Sequence, residues 1–391
     1  MMELLLYLYI LIVVYLFLKY SRIRTLYIFS PYILIYLNFI FNDAIPFLFF
    51  YPDVPENIQY TTFTAAIINL SFLFLFRKQA QVPISINLPL SSIKLNKKRK
   101  ILLSCFVFFL LWAGVMSGVL INLLRGNNIE DLRRTSEIGV GVIRDIPMLG
   151  IQIIMLVLFL QKTWKCYYKV VAFYSFCLSV FLFLTTGNKG GVLVGVTLFL
   201  LFFHLKKRGF KWYEYVLYYL AMPLAAGTLQ GIRGGDLTLI ASQIAVFFSY
   251  PVILYQANSI PIMNAVGTEN FFWGEEYYTG LVKFIPRFLW PDKPLSFDYK
   301  LKELANYDFE GGGIYTTLCN DLYINFGYYY FIFYILWLLF IHYLYGMVMD
   351  DKRFYYSRII ALFIILMGGI ASTIGSVSYT HLRAHETEAD L

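Results

Sequence analysis

Ten apolar stretches that meet or approach the length of a membrane span follow one another along this chain, and they constrain it more than any other feature. They run roughly over Met2–Leu18, Leu26–Phe41, Tyr60–Phe76, Ile101–Leu124, Ile146–Leu160, Val170–Thr186, Val192–Phe203, Tyr213–Gly231, Phe326–Met349 and Ile359–Ser378. A helix needs about twenty apolar residues to cross the hydrocarbon core of a bilayer. In lipid, every backbone N–H and C=O must be satisfied within the chain, which leaves helices or closed barrels. Stretches of this length therefore predict an all-α polytopic membrane protein of about ten transmembrane helices. The residue balance agrees: 59% of the chain is hydrophobic and 14% charged, with a mean hydropathy of +0.64. A soluble domain carries about a quarter charged residues. The 37 Phe and 33 Tyr suit aromatic belts at the membrane interfaces.

Charge placement orients the spans. Of the 32 Lys and Arg, 20 fall in five short clusters, at Lys19–Arg24, Arg77–Lys100, Lys162–Lys169, Lys206–Lys211 and Lys352–Arg358. These clusters alternate with loops that are acidic or balanced, so they face the cytoplasm. The net charge of +8 is then a topology signal, and no nucleic-acid partner is expected. The four Cys show no ligand spacing and read as inert thiols of the apolar core. The first apolar run is followed by Lys19, Arg22 and Arg24 and not by a cleavage site, so it reads as a retained span.

The pattern divides the chain into residues 1–231, with helices 1–8 and short loops; residues 232–325, one large extracytoplasmic loop; residues 326–377, with helices 9–10; and a tail, 378–391. Within the large loop, Leu237–Ala257 is apolar but carries Ser242, Gln243, Ser249 and a Tyr250–Pro251 pair. It is expected to be an amphipathic helix lying at the outer membrane surface. Arg233–Asp321 holds six basic and ten acidic residues, an external type of balance. A loop of this length is rarely only a connector. The tail, SYTHLRAHETEADL, abandons the apolar pattern. It is expected to be read-through at a truncated gene end or a short disordered tail, with no part in function.

Several external positions carry candidate chemistry. Arg125–Asp145 has four Arg and four acids; Arg133 and Arg134 either lace a helix surface with Glu130 or grip a phosphate with their planar forks. Lys189 sits in the turn Thr185–Gly191, where it either snorkels to headgroups or faces an anion. Arg233, in GIRGGD, is flanked by bare backbone that can form an anion nest, or it meets lipid phosphate. Arg287 and Lys293 bracket the apolar wedge Phe288–Pro291, as interfacial anchors or as anion contacts. Asp321 lies before the span at 326, where an acid caps a helix or serves as a base. Tyr323 and Asn325 come after it, and Glu275 and Glu276 are further external carboxylates.

Taken in order, the segments TGNKGG, GIRGGD, IPRFLWPDKP and GGGIYTTLCNDLYINFG make residues 185–340 resemble the oligosaccharide repeat-unit polymerases of O-antigen and capsule synthesis. Two positions depart from that pattern: Lys189 stands where the family has Arg, and Asp321 where it has Glu. The resemblance implies a GT-C-like membrane glycosyltransferase of the bacterial cytoplasmic membrane, with its active site on the extracytoplasmic face. Its implied substrate is an undecaprenyl-pyrophosphate-linked oligosaccharide, with a chain-length regulator as a further partner and neither metal nor cofactor. Arg233, Arg287 and Asp321 would be catalytic. Lys189, Lys293, Arg133, Arg134, Glu275, Glu276 and Tyr323 would bind substrate. The alternatives are an O-antigen ligase, another lipid-phosphate-sugar transferase, or a polysaccharide flippase. The second of these places acids in the first external loop, and Asp43, Asp53 and Glu56 are read here as lying in an external loop after the second span.

Overall fold

The computed structural model describes residues 2–23, 31–76, 251–282, 297–307 and 316–349, together with 290 and 294. Among them there is helix and connecting turn, and no strand. The chain divides into two compact units, and the described residues up to Tyr343 belong to the one built from Met1–Pro83, Ala245–Tyr343 and Ser372–Leu391. The readings of Arg133, Arg134, Lys189, Arg233, Arg287 and Lys293, the spans between 101 and 231, the span from 359 and the tail all lie outside the described residues.

The elements in order are α1 (Met2–Ile23), α2 (Pro31–Phe39), a π-helical segment Ile40–Ala44, α3 (Ile45–Phe50) and α4 (Glu56–Leu75). After residues 251–254, which are helical, come a second π segment Tyr255–Ser259, α5 (Ile260–Val266), α6 (Glu275–Val282) and α7 (Phe297–Leu304). Then α8 (Leu318–Phe326), closed by Gly327 at φ 56°, is followed directly by one 3₁₀ turn Gly327–Tyr329 and α9 (Tyr330–Met349).

The two π segments have a common sequence cause. Pro46 and Pro261 each stand immediately after the residue that caps such a segment, at the start of α3 and α5. A proline ring inside a helix removes one N–H and crowds the carbonyl four residues back, here Asn42 and Ala257. The ladder widens in response: Ile45 N–H reaches back to the Ile40 carbonyl and Ile260 N–H to the Tyr255 carbonyl, each five residues away. At the second site the crowded Ala257 carbonyl accepts a hydrogen bond from the Tyr307 hydroxyl instead.

Among the described residues, two helices are long and apolar enough to cross a membrane, Glu56–Leu75 and Leu318–Met347. Both bury polar side chains beside apolar ones and expose bulky apolar side chains. On α4 the buried positions include Asn57, Thr61, Thr62 and Asn69, while Ile67, Phe74 and Leu75 are exposed. On α9 Tyr330 and Tyr334 are buried, while Ile332, Leu336, Phe340 and Tyr343 face outward. Amides and hydroxyls inside with bulky hydrocarbon outside is the arrangement of helices surrounded by lipid, and it supports membrane association.

Four expectations are revised. The second apolar helix does not stop at Phe41 but runs through its π segment to Phe50, so Asp43 is a buried helical residue, 4% exposed, and not part of an external loop. The span expected over Phe326–Met349 is α9, Tyr330–Met349, and a separate helix, α8, precedes it from Leu318. Its N-cap is Thr317, whose hydroxyl accepts from the Asn320 N–H at 3.3 Å, so Asp321 sits one turn inside and is not a cap. Of the surface helix expected over Leu237–Ala257, residues 237–250 lie outside the described residues; 251–257 are helical, with Leu254 and Tyr255 buried and Gln256 exposed, and the helix continues past Ala257 to Val266.

Candidate functional site

Of the ten residues singled out for catalysis or substrate binding, Glu275, Glu276, Asp321 and Tyr323 are described, and the fold brings them to one place. The chain leaves α5 through Gly267, at φ 58°, whose carbonyl accepts from Asn57 Nδ2 at 3.2 Å and from the Tyr323 hydroxyl at 3.2 Å. Asn57 Nδ2 also reaches the Met263 carbonyl at 2.7 Å, so the last turn of α5 is tied to α4. The segment then turns at Trp273 and Gly274, with φ of 51° and 85°. Phe272 N–H donates to the Ile324 carbonyl at 3.0 Å, which lays the segment along α8.

This positions the start of α6 over α8. Glu275 and Glu276 fall in the first turn of α6, where the helix dipole favours negative charge. Asn325 joins the two helices through its amide. Its Nδ2 donates to Glu276 Oε2 at 2.6 Å and to the Asp321 carbonyl at 2.9 Å, and its Oδ1 accepts from the Glu276 N–H at 3.4 Å. Asn325 is fully buried, so each of these bonds is made away from water and is costly to leave unmade. Glu275 forms an ion pair with Lys300 of α7.

The electrostatics converge on Tyr277. Burial pushes its phenol well above the ordinary tyrosine range, and the nearby Glu276 and Asp321 carboxylates push it further. Tyr277 therefore stays protonated and can act as a hydrogen-bond donor beside two acids. Its ring stacks on Phe326 at 5.8 Å and 15°, and half of it remains open to the outside. Trp273 and Tyr278 are exposed alongside. Two acids, a neutral phenol and open aromatic faces make a surface suited to polyhydroxylated ligands, with acceptors for hydroxyl protons and flat apolar faces for the ring C–H groups.

Tyr323 plays a different part from the substrate contact expected of it. It is fully buried, its hydroxyl is committed to Gly267, and its ring meets Phe271 edge-on at 5.4 Å and 88°. It holds the site's floor together. Sequence reasoning missed Tyr277, Trp273, Lys300 and the joining role of Asn325. It also missed a polar interior on α4, although the pattern Asn57, Thr61, Thr62, Asn69 inside an apolar run was readable as a buried face. Comparison with protein-family models, with curated proteins and with solved structures gave no match for the chain.

Proposed function

We propose that this chain polymerises undecaprenyl-pyrophosphate-linked oligosaccharide repeat units into a surface polysaccharide. It does so as a ten-span glycosyltransferase at the outer face of the bacterial cytoplasmic membrane. The observation that carries this reading is the meeting of Glu276, Asp321 and Tyr277 at the start of the long apolar helix Leu318–Met347, with open aromatic rings beside them. In this reading a hydroxyl of the acceptor repeat unit attacks the anomeric carbon of the donor glycan as its bond to the pyrophosphate oxygen breaks. Asp321 takes up the acceptor proton, with Glu276 next to it as the second candidate. The leaving lipid pyrophosphate gains negative charge, and Arg233, Arg287 and Lys189 stabilise it as fixed cations. Arg can grip the pyrophosphate with two parallel hydrogen bonds, whereas Lys189 offers a point charge.

The test is polymer length in cells that depend on this chain. Asp321→Asn removes the proton acceptor, and general-base help is worth about 10²–10⁴-fold. The variant should reach the membrane and leave single repeat units, and Asp321→Glu should recover part of the activity. Arg233→Ala and Arg287→Ala should behave like Asp321→Asn. Long glycan chains at near-normal rates in all three alanine and asparagine variants would defeat the proposal.

A further inference from the structure

The exposed side chains of α4 and α9 are sorted by their position along the two helices. These helices run side by side in the same direction. The Tyr60 ring meets Tyr328 and Tyr330 at one end, the Tyr334 hydroxyl donates to Asn69 Oδ1 at 2.9 Å, and Phe76 meets His342 at the other end. Tyr329 and Tyr343 are both exposed, and every exposed side chain between them on α9 is Ile, Leu or Phe. At 1.5 Å per residue these two tyrosines stand about 21 Å apart, and the reach of their rings brings the band near the ~30 Å of a hydrocarbon core. On α4 the exposed residues after Tyr60 are Ile67, Phe74, Leu75 and Ser71, whose hydroxyl donates to the Ile67 carbonyl at 2.8 Å. Before Tyr60 the exposed residues include Asp53 and Glu56, and Glu269 and Asn270 are exposed just after Gly267, which is bonded to Asn57.

Between the charged end and the hydrocarbon band lies a ring of amphipathic aromatics. Tyr328 meets Tyr60 at 5.4 Å and Phe271 at 6.5 Å, and Phe271 meets Trp273 at 6.1 Å. Trp273 is 67% exposed although its φ is 51°, a conformation that a bulky side chain rarely enters. Backbone strain here holds outward a ring that burial would draw in. The site's acids belong to the same level. Thr61 Oγ1 stands 3.2 Å from Asn320 Oδ1, and the Thr61 carbonyl accepts from the Tyr330 hydroxyl at 2.7 Å. Asn320 and Tyr330 are ten positions apart on either side of Gly327, so α8 folds back beside α4 and does not extend α9 outward. Asp321 thus lies near the level of Tyr60, and Asn325 ties Glu276 to the same turn of α8.

We propose that Tyr60, Trp273, Tyr328 and Tyr329 form a collar seated in the headgroup layer of a lipid bilayer, which holds Glu276 and Asp321 at headgroup depth. Tyr and Trp gather where a membrane protein passes from hydrocarbon to water, because their rings are apolar and their O–H and N–H groups seek partners. A second copy of the chain would cover an apolar face without sorting it into charged, amphipathic and hydrocarbon zones. The turn 271–274, which lies outside the spans, is in this way part of the membrane contact. The placement does not depend on the sugar transfer proposed above.

The test measures depth in lipid nanodiscs that each carry one full-length chain, with the four native cysteines replaced by alanine. A nitroxide label is placed through Trp273→Cys, Tyr329→Cys, Leu336→Cys or Asn270→Cys, one at a time. Its collisions with oxygen, which dissolves in hydrocarbon, and with a water-soluble nickel chelate report its depth. The labels at 273 and 329 should lie at one depth in the headgroup layer. The label at 336, seven residues along α9, should lie about 10 Å deeper, and the label at 270 should lie in water. Lipids brominated near the headgroup should also quench tryptophan emission more in the wild type than in Trp273→Phe, a readout that stands if the labels disturb the turn. Labels at 273 and 329 as open to nickel as the one at 270, or as deep as the one at 336, would overturn the proposal. So would labels shielded from both reagents, as a protein cover would leave them, or equal quenching in Trp273→Phe.

Discussion

Gly327 is the position where the floor of the candidate site is most sensitive to a single added carbon. It joins α8 to the turn before α9 with φ 56° and ψ −137°, close to a region that essentially only glycine enters. A Cβ built there would meet three atoms of the Phe271 ring at 2.6, 2.7 and 2.9 Å. The ring cannot yield freely, because it packs edge-on against Trp273, Tyr323 and Tyr328 at 6.1, 5.4 and 6.5 Å. Gly327→Ala therefore carries a backbone cost of about 1–3 kcal/mol and an overpacking cost of about 1–3 kcal/mol. The two together come to roughly 2–6 kcal/mol. Unfolding of the detergent-purified chain, followed by tryptophan fluorescence, should show this loss. In a Phe271→Ala background the overpacking part disappears, so the same substitution should cost only about 1–3 kcal/mol there. A wild-type midpoint for Gly327→Ala, or an equal cost with and without the Phe271 ring, would refute the reasoning.

Further outcomes are expected at neighbouring positions. Thr317→Ala should cost about 1 kcal/mol through loss of the N-cap, while Asp321→Asn should leave the unfolding midpoint nearly unchanged, because Asp321 does not cap the helix. Asn325→Leu removes the amide between α6 and α8 and should cost about 1.5–3 kcal/mol, since one of its bonds goes to a carboxylate; hydrogen exchange should speed up across Glu275–Val282 first. A cysteine at Asn270, an exposed residue, should react with a membrane-impermeant maleimide in intact spheroplasts, whereas one at Asn96 should not. The reverse pattern would place the site on the wrong side of the membrane for lipid-linked polymerisation.

What was legible in the sequence is the apolar helices and what was not is their ends. Tyr60–Phe76 matches α4 from its second turn onward, and the first turn was missed because Glu56 and Asn57 are polar. The same error hid α8, where Thr317, Asn320 and Asp321 looked like loop. Polarity was equated with exposure, a rule that the buried Asn57, Thr61, Asn69 and Asn325 break, and Asp43 is its plainest casualty. The site itself was half readable. Glu275, Glu276 and Asp321 were chosen singly as external acids, but their meeting depends on the Gly267 and Gly274 turns and on an asparagine amide, contacts that join residues about fifty positions apart. No periodicity encodes that.

The paired π segments also change how these two helices count. Each holds a backbone bond that spans five residues where four would serve, so each helix contains one residue more than an α ladder needs. One residue is a rotation of about 100° around a helix axis. The turns before Asn42 and before Ala257 are thus out of phase, by more than a quarter turn, with the turns after Pro46 and Pro261. Around the first segment Phe41 and Phe49 face outward while Asp43 is buried, and in the second segment Asn258 and Ser259 are buried.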